Sequence, residues 1–307
     1  MTEQKIDIDL LNSVVDIELL AHQVVEGFIT GLHKSPFHGF SVEFAEHRLY
    51  NGGESVKNID WKLFARTDKL FVKRFEEETN LRCQLVIDAS SSMFYPDKET
   101  SKFKFSVMAA ACLIQLLKRQ RDAFGLTVFA QNIEVHTDTK STHAHQKFLY
   151  TQFQTLLNQP QQNKHTQIAQ NLHALAKQLH KRSMVVIFSD MIETQTSHQN
   201  QEALFAALQH LKYNKHEVII FNVQQQKHEK NFDFENRPHH FIDTETGSQI
   251  KVNPTYLKQF YLQKFNAYKK SIALKCAQYK IDMVDATVET GFNNMLNAWL
   301  IKRNKMS

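Results

Sequence analysis

The chain has 307 residues, of which 42% are hydrophobic, with 23 phenylalanines, and 22% are charged. Those proportions supply a sizeable core and exclude a disordered or fibrous chain, and the length suits one large domain with a smaller appendage. A formal net charge of +5 is too modest to predict a nucleic-acid partner, and the three cysteines, Cys83, Cys112 and Cys276, stand in apolar runs without C-x-x-C spacing, so neither a disulfide framework nor a thiolate zinc site is expected.

At the N-terminus, MTEQKIDIDL lacks the basic start and apolar stretch of a secretion signal. The apolar run near Val107 to Leu117 is broken by Gln115 and falls short of the roughly 20 residues that span a bilayer. A cytoplasmic protein without membrane insertion is the expectation. From Ile6 to about Thr30, apolar residues recur every three or four positions, which predicts an amphipathic helix or helix pair. Residues 34–75 carry Pro36, Gly39, Gly52 and Gly53 and read as turns with short strands at Ser41–Phe44 and Leu70–Val72.

The pattern changes near residue 80. Cys83–Ile87 is a nearly continuous apolar run ending in Asp88, as expected of a parallel strand buried on both faces. Helical periodicity follows over 102–119, then strands over 124–130 and 133–137, and helices over about 144–157 and 166–182. Met184–Phe188 is a second apolar run ending beside an aspartate, Asp190. A helix over 200–213, a strand over 217–223, an inserted β-hairpin within 231–252, a helix over 254–279, a strand over 281–284 and a helix over 289–303 complete the chain. Strands alternating with crossover helices predict an α/β fold, a doubly wound, mostly parallel sheet over 81–307, with a small helical and β appendage over 1–80.

Such sheets place their sites at the carboxyl ends of the strands. The first sheet strand ends in Asp88-Ala89-Ser90-Ser91-Ser92, a D-x-S-x-S pattern. One carboxylate and two hydroxyls on a turn at a strand tip can converge as hard oxygen donors on one divalent cation. Thr166, after the polar loop Gln161–His165, and Asp190, just past the strand Met184–Phe188, fall where the same crevice would need them.

These five residues, Asp88, Ser90, Ser92, Thr166 and Asp190, resemble the metal-ion-dependent adhesion site of von Willebrand factor A domains and integrin inserted domains. The resemblance implies a von Willebrand factor A-like, Rossmann-type domain that binds Mg²⁺, with Mn²⁺ or Ca²⁺ as alternatives. In that family the first aspartate and both serines contact the metal, the threonine joins directly or through water, and the second aspartate acts largely through water. One coordination position is left for a partner's acidic residue.

A narrower resemblance covers nearly the whole chain. Gly39–Phe44, Arg48-Leu49-Tyr50, Ile59-Asp60-Trp61, Ala65-Arg66-Thr67 and Val72–Glu78, with their spacing to the D-x-S-x-S and with Ser189-Asp190-Met191, look like the bacterial family called domain of unknown function 58. Asn51-Gly52-Gly53-Glu54-Ser55 departs from it, since members commonly have an acidic pair after the glycine. The resemblance implies a cytoplasmic partner of a MoxR-type AAA+ ATPase, or of its client, acting in metal insertion, complex assembly or envelope stress. Neither a Walker A nor a G-x-G-x-x-G motif occurs among the eight glycines, so this chain is not read as the ATPase.

The expected function is therefore a non-enzymatic, metal-dependent protein-binding module. The alternative is a Mg²⁺-dependent phosphoryl hydrolase, since a metal at the carboxyl edge of such a sheet can polarise phosphate. Against it, the first motif has no second carboxylate two residues after Asp88. Two further readings concern side groups. His143, His145, His239 and His240 lack H-E-x-x-H spacing and neighbouring thiolates, so no zinc site is expected. Trp61, Phe64, Phe71 and Phe75, interleaved with basic residues, are read as packing residues or a partner-docking surface rather than a stacking platform for nucleic acid.

Overall fold

The computed structural model describes residues 17–33, 47–49, 61–73, 81–158, 167–192, 198–244 and 247–304. The sequence expectations for 6–16, Ser41–Phe44 and Thr166 lie outside these residues. The first described element is α1 (Ile17–His33), which buries Ile17, Leu20, Ala21, Val24, Val25 and Phe28, the stripe that a 3.6-residue period lays along one side of a helix. The chain divides into two compact units: residues 27–80 form one, and the described residues 17–26 belong with those from 81 onward. The first turns of α1 are thus part of the larger unit.

In the smaller unit, β1 (His47–Leu49) pairs antiparallel with β2 (Phe71–Lys73), and His47 lies opposite Lys73. Between them, α2 (Trp61–Thr67) presents Trp61 edge-on to Phe64, with ring centroids 6.1 Å apart. Trp61 is 60% exposed.

The larger unit is built on β3 (Arg82–Asp88), α3 (Lys102–Arg119), β4 (Ala123–Phe129), β5 (Ile133–His136), α4 (His143–Asn158), α5 (Ile168–Gln178), β6 (Met184–Ser189), α6 (His198–Tyr213) and β7 (Glu217–Gln224). A hairpin of β8 (His239–Ile242) and β9 (Gln249–Val252) precedes α7 (Pro254–Gln278), β10 (Asp282–Thr287) and α8 (Asn293–Asn304). Six of these strands form one sheet in the order β10-β7-β6-β3-β4-β5, parallel throughout except for β5, which returns antiparallel to β4. The protein is a mixed α/β structure around a mostly parallel sheet.

Side chains alternate across the sheet. Val86, Ile187 and Ile220 stand side by side on neighbouring strands and form one core with Leu172 and Leu175 of α5, Leu204 and Leu208 of α6, and Ile272 and Cys276 of α7. The opposite face is covered by α3, which packs on β3, β4 and β7, and by α8, whose Phe292 border stacks on Phe105 at 4.9 Å. Burial on both faces is why β3, β6 and β7 read as continuous apolar runs.

Element boundaries follow the sequence expectations closely, with three differences. The last helix begins at Asn293, four residues after its expected start, because a 3₁₀ turn over Val288–Thr290 comes first. The helix expected over 166–182 ends at Gln178, where Leu179 turns to an extended backbone. The last strand runs from Asp282 to Thr287, three residues beyond the expected end, because an edge strand continues into the polar residues Asp285 and Thr287. Among the described residues no helix is long and apolar enough to cross a membrane.

Candidate functional site

Successive connections run outward from β3 in opposite directions: β4 and β5 lie on one side, and β6, β7 and β10 on the other. Sheets of this kind place their ligand crevices at the carboxyl ends of the strands where the order reverses, which here are β3 and β6. Asp88 is the last residue of β3, and Asp190 follows the last residue of β6. The carboxyl end is thus where both sequence-identified aspartates fall.

Asp88 is fully buried, and each of its carboxylate oxygens accepts a hydrogen bond. The Ser90 backbone N–H donates to Oδ1 at 2.9 Å, and the Ser189 hydroxyl donates to Oδ2 at 2.7 Å. The Ala89 N–H donates to the Phe129 carbonyl at 2.7 Å, which pins the turn to β4. A short 3₁₀ turn over Ser91–Phe94 follows, and it brings the Ser90 and Ser92 hydroxyl oxygens to 3.2 Å of each other. Burial, and next the charge of Asp190, push the Asp88 carboxyl up to about 6, against the lowering effect of the Ser189 and Ser90 hydrogen bonds.

Asp190 is 3% exposed. Its Oδ1 accepts from the Ile192 N–H at 3.0 Å, and its Oδ2 accepts from the Lys102 ammonium at 2.8 Å. Ser189 braces the same turn, since its hydroxyl oxygen also accepts from the Met191 N–H at 2.8 Å. Met191 adopts a positive φ of 56°, which lets the chain leave β6 sharply.

Lys102 opens α3, directly after Ser101, whose hydroxyl caps the helix by accepting from the Lys104 N–H at 3.1 Å. The Lys102 side chain is fully buried, and its ammonium also bonds the Glu229 carboxylate, so one cation lies between two carboxylates. Burial alone would lower the Lys102 pKa, but Asp190 and Glu229 outweigh it and hold the ammonium above its ordinary range. Glu229 lies in the turn after β7, where its Oε2 accepts from the Gln225 N–H at 2.8 Å. That turn is joined to the segment before α3 by Gln225 Nε2 donating to the Thr100 carbonyl at 2.8 Å, and by Tyr95 Oη against His228 Nδ1 at 2.8 Å.

Four of the five sequence-identified residues thus lie on the two loops at the reversal point, while Thr166 is outside the described residues. Ser189, Lys102 and Glu229 were not singled out as site residues from sequence. A lysine in the first turn of a helix opposes the helix dipole, but Lys104 stands in the same turn, so that conflict alone does not single out Lys102. Of the histidines set aside as zinc ligands, His145 Nε2 meets the Phe124 carbonyl at 3.0 Å, and His239 Nε2 meets the Glu235 carbonyl at 3.0 Å. Among the described residues, no three His, Cys, Asp or Glu side chains form a group that could hold a metal ion. Any coordination shell here would need the serine hydroxyls. Their 3.2 Å separation suits that use, since two adjacent oxygens about 2.1 Å from one small cation lie roughly 3.0 Å apart.

A groove of about 450 Å³ lies elsewhere, at the amino end of β10, lined by residues including Ile219, Lys280, Met283, Ile301 and Lys302. Because the strands are parallel, it opens at the end of the sheet away from Asp88.

Fold and site together define a mixed α/β protein with a buried carboxylate and hydroxyl cluster at the reversal point of its sheet. The chain belongs to the family described as Protein of unknown function DUF58, whose model matches residues 46–269. Uncharacterized proteins of Mycobacterium tuberculosis and Mycobacterium bovis are 27% identical over 178 residues, covering 57% of this chain and 55% of theirs. The chain therefore spans about 55% of the length of those relatives. Among solved structures it is similar to a conserved hypothetical protein, BatB, from Bacteroides thetaiotaomicron, at 15% identity over 74% of this chain and 98% of that one, with a TM-score of 0.46. An aerotolerance-related membrane protein from Bacteroides fragilis is 17% identical over 73% of this chain and 99% of its own, with a TM-score of 0.43.

Proposed function

We propose that this protein is a von Willebrand factor A-like binding module that captures an acidic side chain of a protein partner through a bound divalent cation, Mg²⁺ first. Asp88, Ser90 and Ser92 would hold the cation directly, with Thr166 and Asp190 completing the site directly or through water. The cation's chemistry is to accept a partner's Asp or Glu carboxylate at its remaining position. The observation that carries this reading is the convergence of one buried carboxylate and two hydroxyl oxygens 3.2 Å apart at the reversal point of the sheet.

The chain's own residues prepare that site. Ser189 and the Ser90 N–H each hold one oxygen of the Asp88 carboxylate, and the Ser90 side chain bonds it as well, so the group is oriented before any cation arrives. Asp190 has its charge matched by Lys102, which suits a supporting role better than direct coordination. Within this reading the protein is a cytoplasmic adaptor that works beside a MoxR-type AAA+ ATPase, whose cycle regulates the contact.

Affinity capture from a bacterial lysate, with wild-type and Asp88→Ala protein in Mg²⁺ and in EDTA, tests the proposal. Retention of an AAA+ ATPase or its client only by wild type with Mg²⁺ is the expected result. Identical captures in all four conditions would overturn it. Phosphoryl hydrolysis is the alternative outcome: turnover of a generic phosphoester by wild type, absent in Asp88→Ala, would favour an enzyme.

A further inference from the structure

Lys102 is a fully buried cation in direct contact with one of the carboxylates proposed to serve the metal site. An ion pair so deep stabilises only weakly against apolar replacement, so its presence calls for another account. The second carboxylate, Glu229, comes from a different loop, which is itself held to the segment before α3 by two side-chain hydrogen bonds. Counting Asp88, Asp190 and Glu229 as anions and Lys102 as a cation, the cluster carries a formal charge of −3 + 1 = −2. One divalent cation would neutralise it.

We infer that Lys102 is a built-in competitor of the divalent cation, and that Glu229 sets how strongly it competes by drawing the ammonium away from Asp190. The inference rests on the metal reading of Asp88, Ser90 and Ser92. When the ammonium sits on Asp190, that carboxylate offers a cation little attraction, and a nearby divalent cation is repelled by the lysine charge. Loading the site therefore favours Lys102 moving toward Glu229. Because Glu229 also anchors the turn after β7 through the Gln225 N–H, loading is coupled to the loop beside the crevice. The lysine thereby keeps the site weak for cations, and loading becomes dependent on a partner carboxylate that adds negative charge.

The two carboxylate partners make opposite predictions, and the test uses them. Glu229→Gln leaves Asp190 as the charged partner of Lys102 and lowers the negative charge of the cluster by one. Lys102→Met alone would strand two buried carboxylates, so the lysine is removed in the double variant Lys102→Met/Glu229→Gln, which leaves Asp190 free to serve the cation. Full-length wild type and variants are titrated with Mn²⁺, reading free Mn²⁺ by electron paramagnetic resonance, with Mg²⁺ as competitor. Circular dichroism verifies the fold of each.

Glu229→Gln is expected to weaken Mn²⁺ binding by about tenfold or more, and the double variant to tighten it by about tenfold relative to wild type. A shift of both variants in the same direction, or no shift in either while Asp88→Ala abolishes binding, overturns the lysine's role and leaves the metal site standing. Mn²⁺ bound equally by wild type and Asp88→Ala overturns the metal reading, and the lysine inference with it.

Discussion

His216 shows at the scale of one residue how burial converts into pH dependence. It lies directly before β7, fully buried, and its Nδ1 accepts a hydrogen bond from the Ser183 N–H at 3.3 Å. Burial, and to a lesser extent the charges of Lys212 and His210, lower its pKa. A proton on Nδ1 would face that N–H, so protonation costs the bond as well as desolvation. In the unfolded chain the imidazole takes its proton near about 6.5, earlier than in the folded one as pH falls. The stability tied to neutral His216 is therefore full above that value and is lost as pH falls below it. Thermal melts from pH 7.5 to 5 should show a steeper fall for wild type than for His216→Gln. Parallel curves would show that His216 does not titrate in that window. Single residues also mark the limit of what the sequence discloses at the candidate site. Asp88, Ser90, Ser92 and Asp190 could be located because strand endings betray them. Lys102 could not be told from Lys104 two positions on, which pairs with Glu99, because which of two lysines turns inward depends on the carboxylates that the fold brings from residues 190 and 229.

Elements were legible wherever their environment was uniform. Strands β3, β6 and β7, buried on both faces, announce themselves as apolar runs, and the hairpin of β8 and β9 was visible from its turn residues. The edge strand β10 was read short because its exposed side carries polar residues that resemble a loop. Strand β4 contains a glycine whose purpose is equally hidden in sequence. A Cβ at Gly125 would stand 2.5 Å from Gln84 Oε1 and 2.8 Å from the Thr137 carbonyl oxygen. Gln84 cannot simply swing aside, since its Nε2 donates to Thr127 Oγ1 at 2.8 Å and to that same Thr137 carbonyl at 3.2 Å. Gly125→Ala should therefore destabilise the protein by about 1–3 kcal/mol in spite of alanine's better backbone propensity. Urea denaturation measures this, and an unchanged midpoint would mean that the sheet opens at no cost.

At the scale of the whole molecule, the larger unit draws on both sides of the smaller one in sequence. Leu20 and Val24 of α1 are 3% and 2% exposed, and Glu26 pairs with Arg119 at the end of α3. Leu20→Ala should cost about 2–5 kcal/mol, and the loss should appear in the unfolding of the sheet-bearing unit. Near-ultraviolet circular dichroism or tryptophan fluorescence from Trp299, fully buried in α8, reports on that unit. A Trp299 transition unmoved by Leu20→Ala would detach α1 from it. The same arrangement has a genetic meaning. Residues 27–80 are an interruption within the coding order of a unit that begins before them and resumes at Leu81. A gene fragment starting at codon 81 would encode the whole sheet yet omit part of its apolar cover. Nested 5′ deletions should therefore fail earlier than the sheet's own boundary suggests.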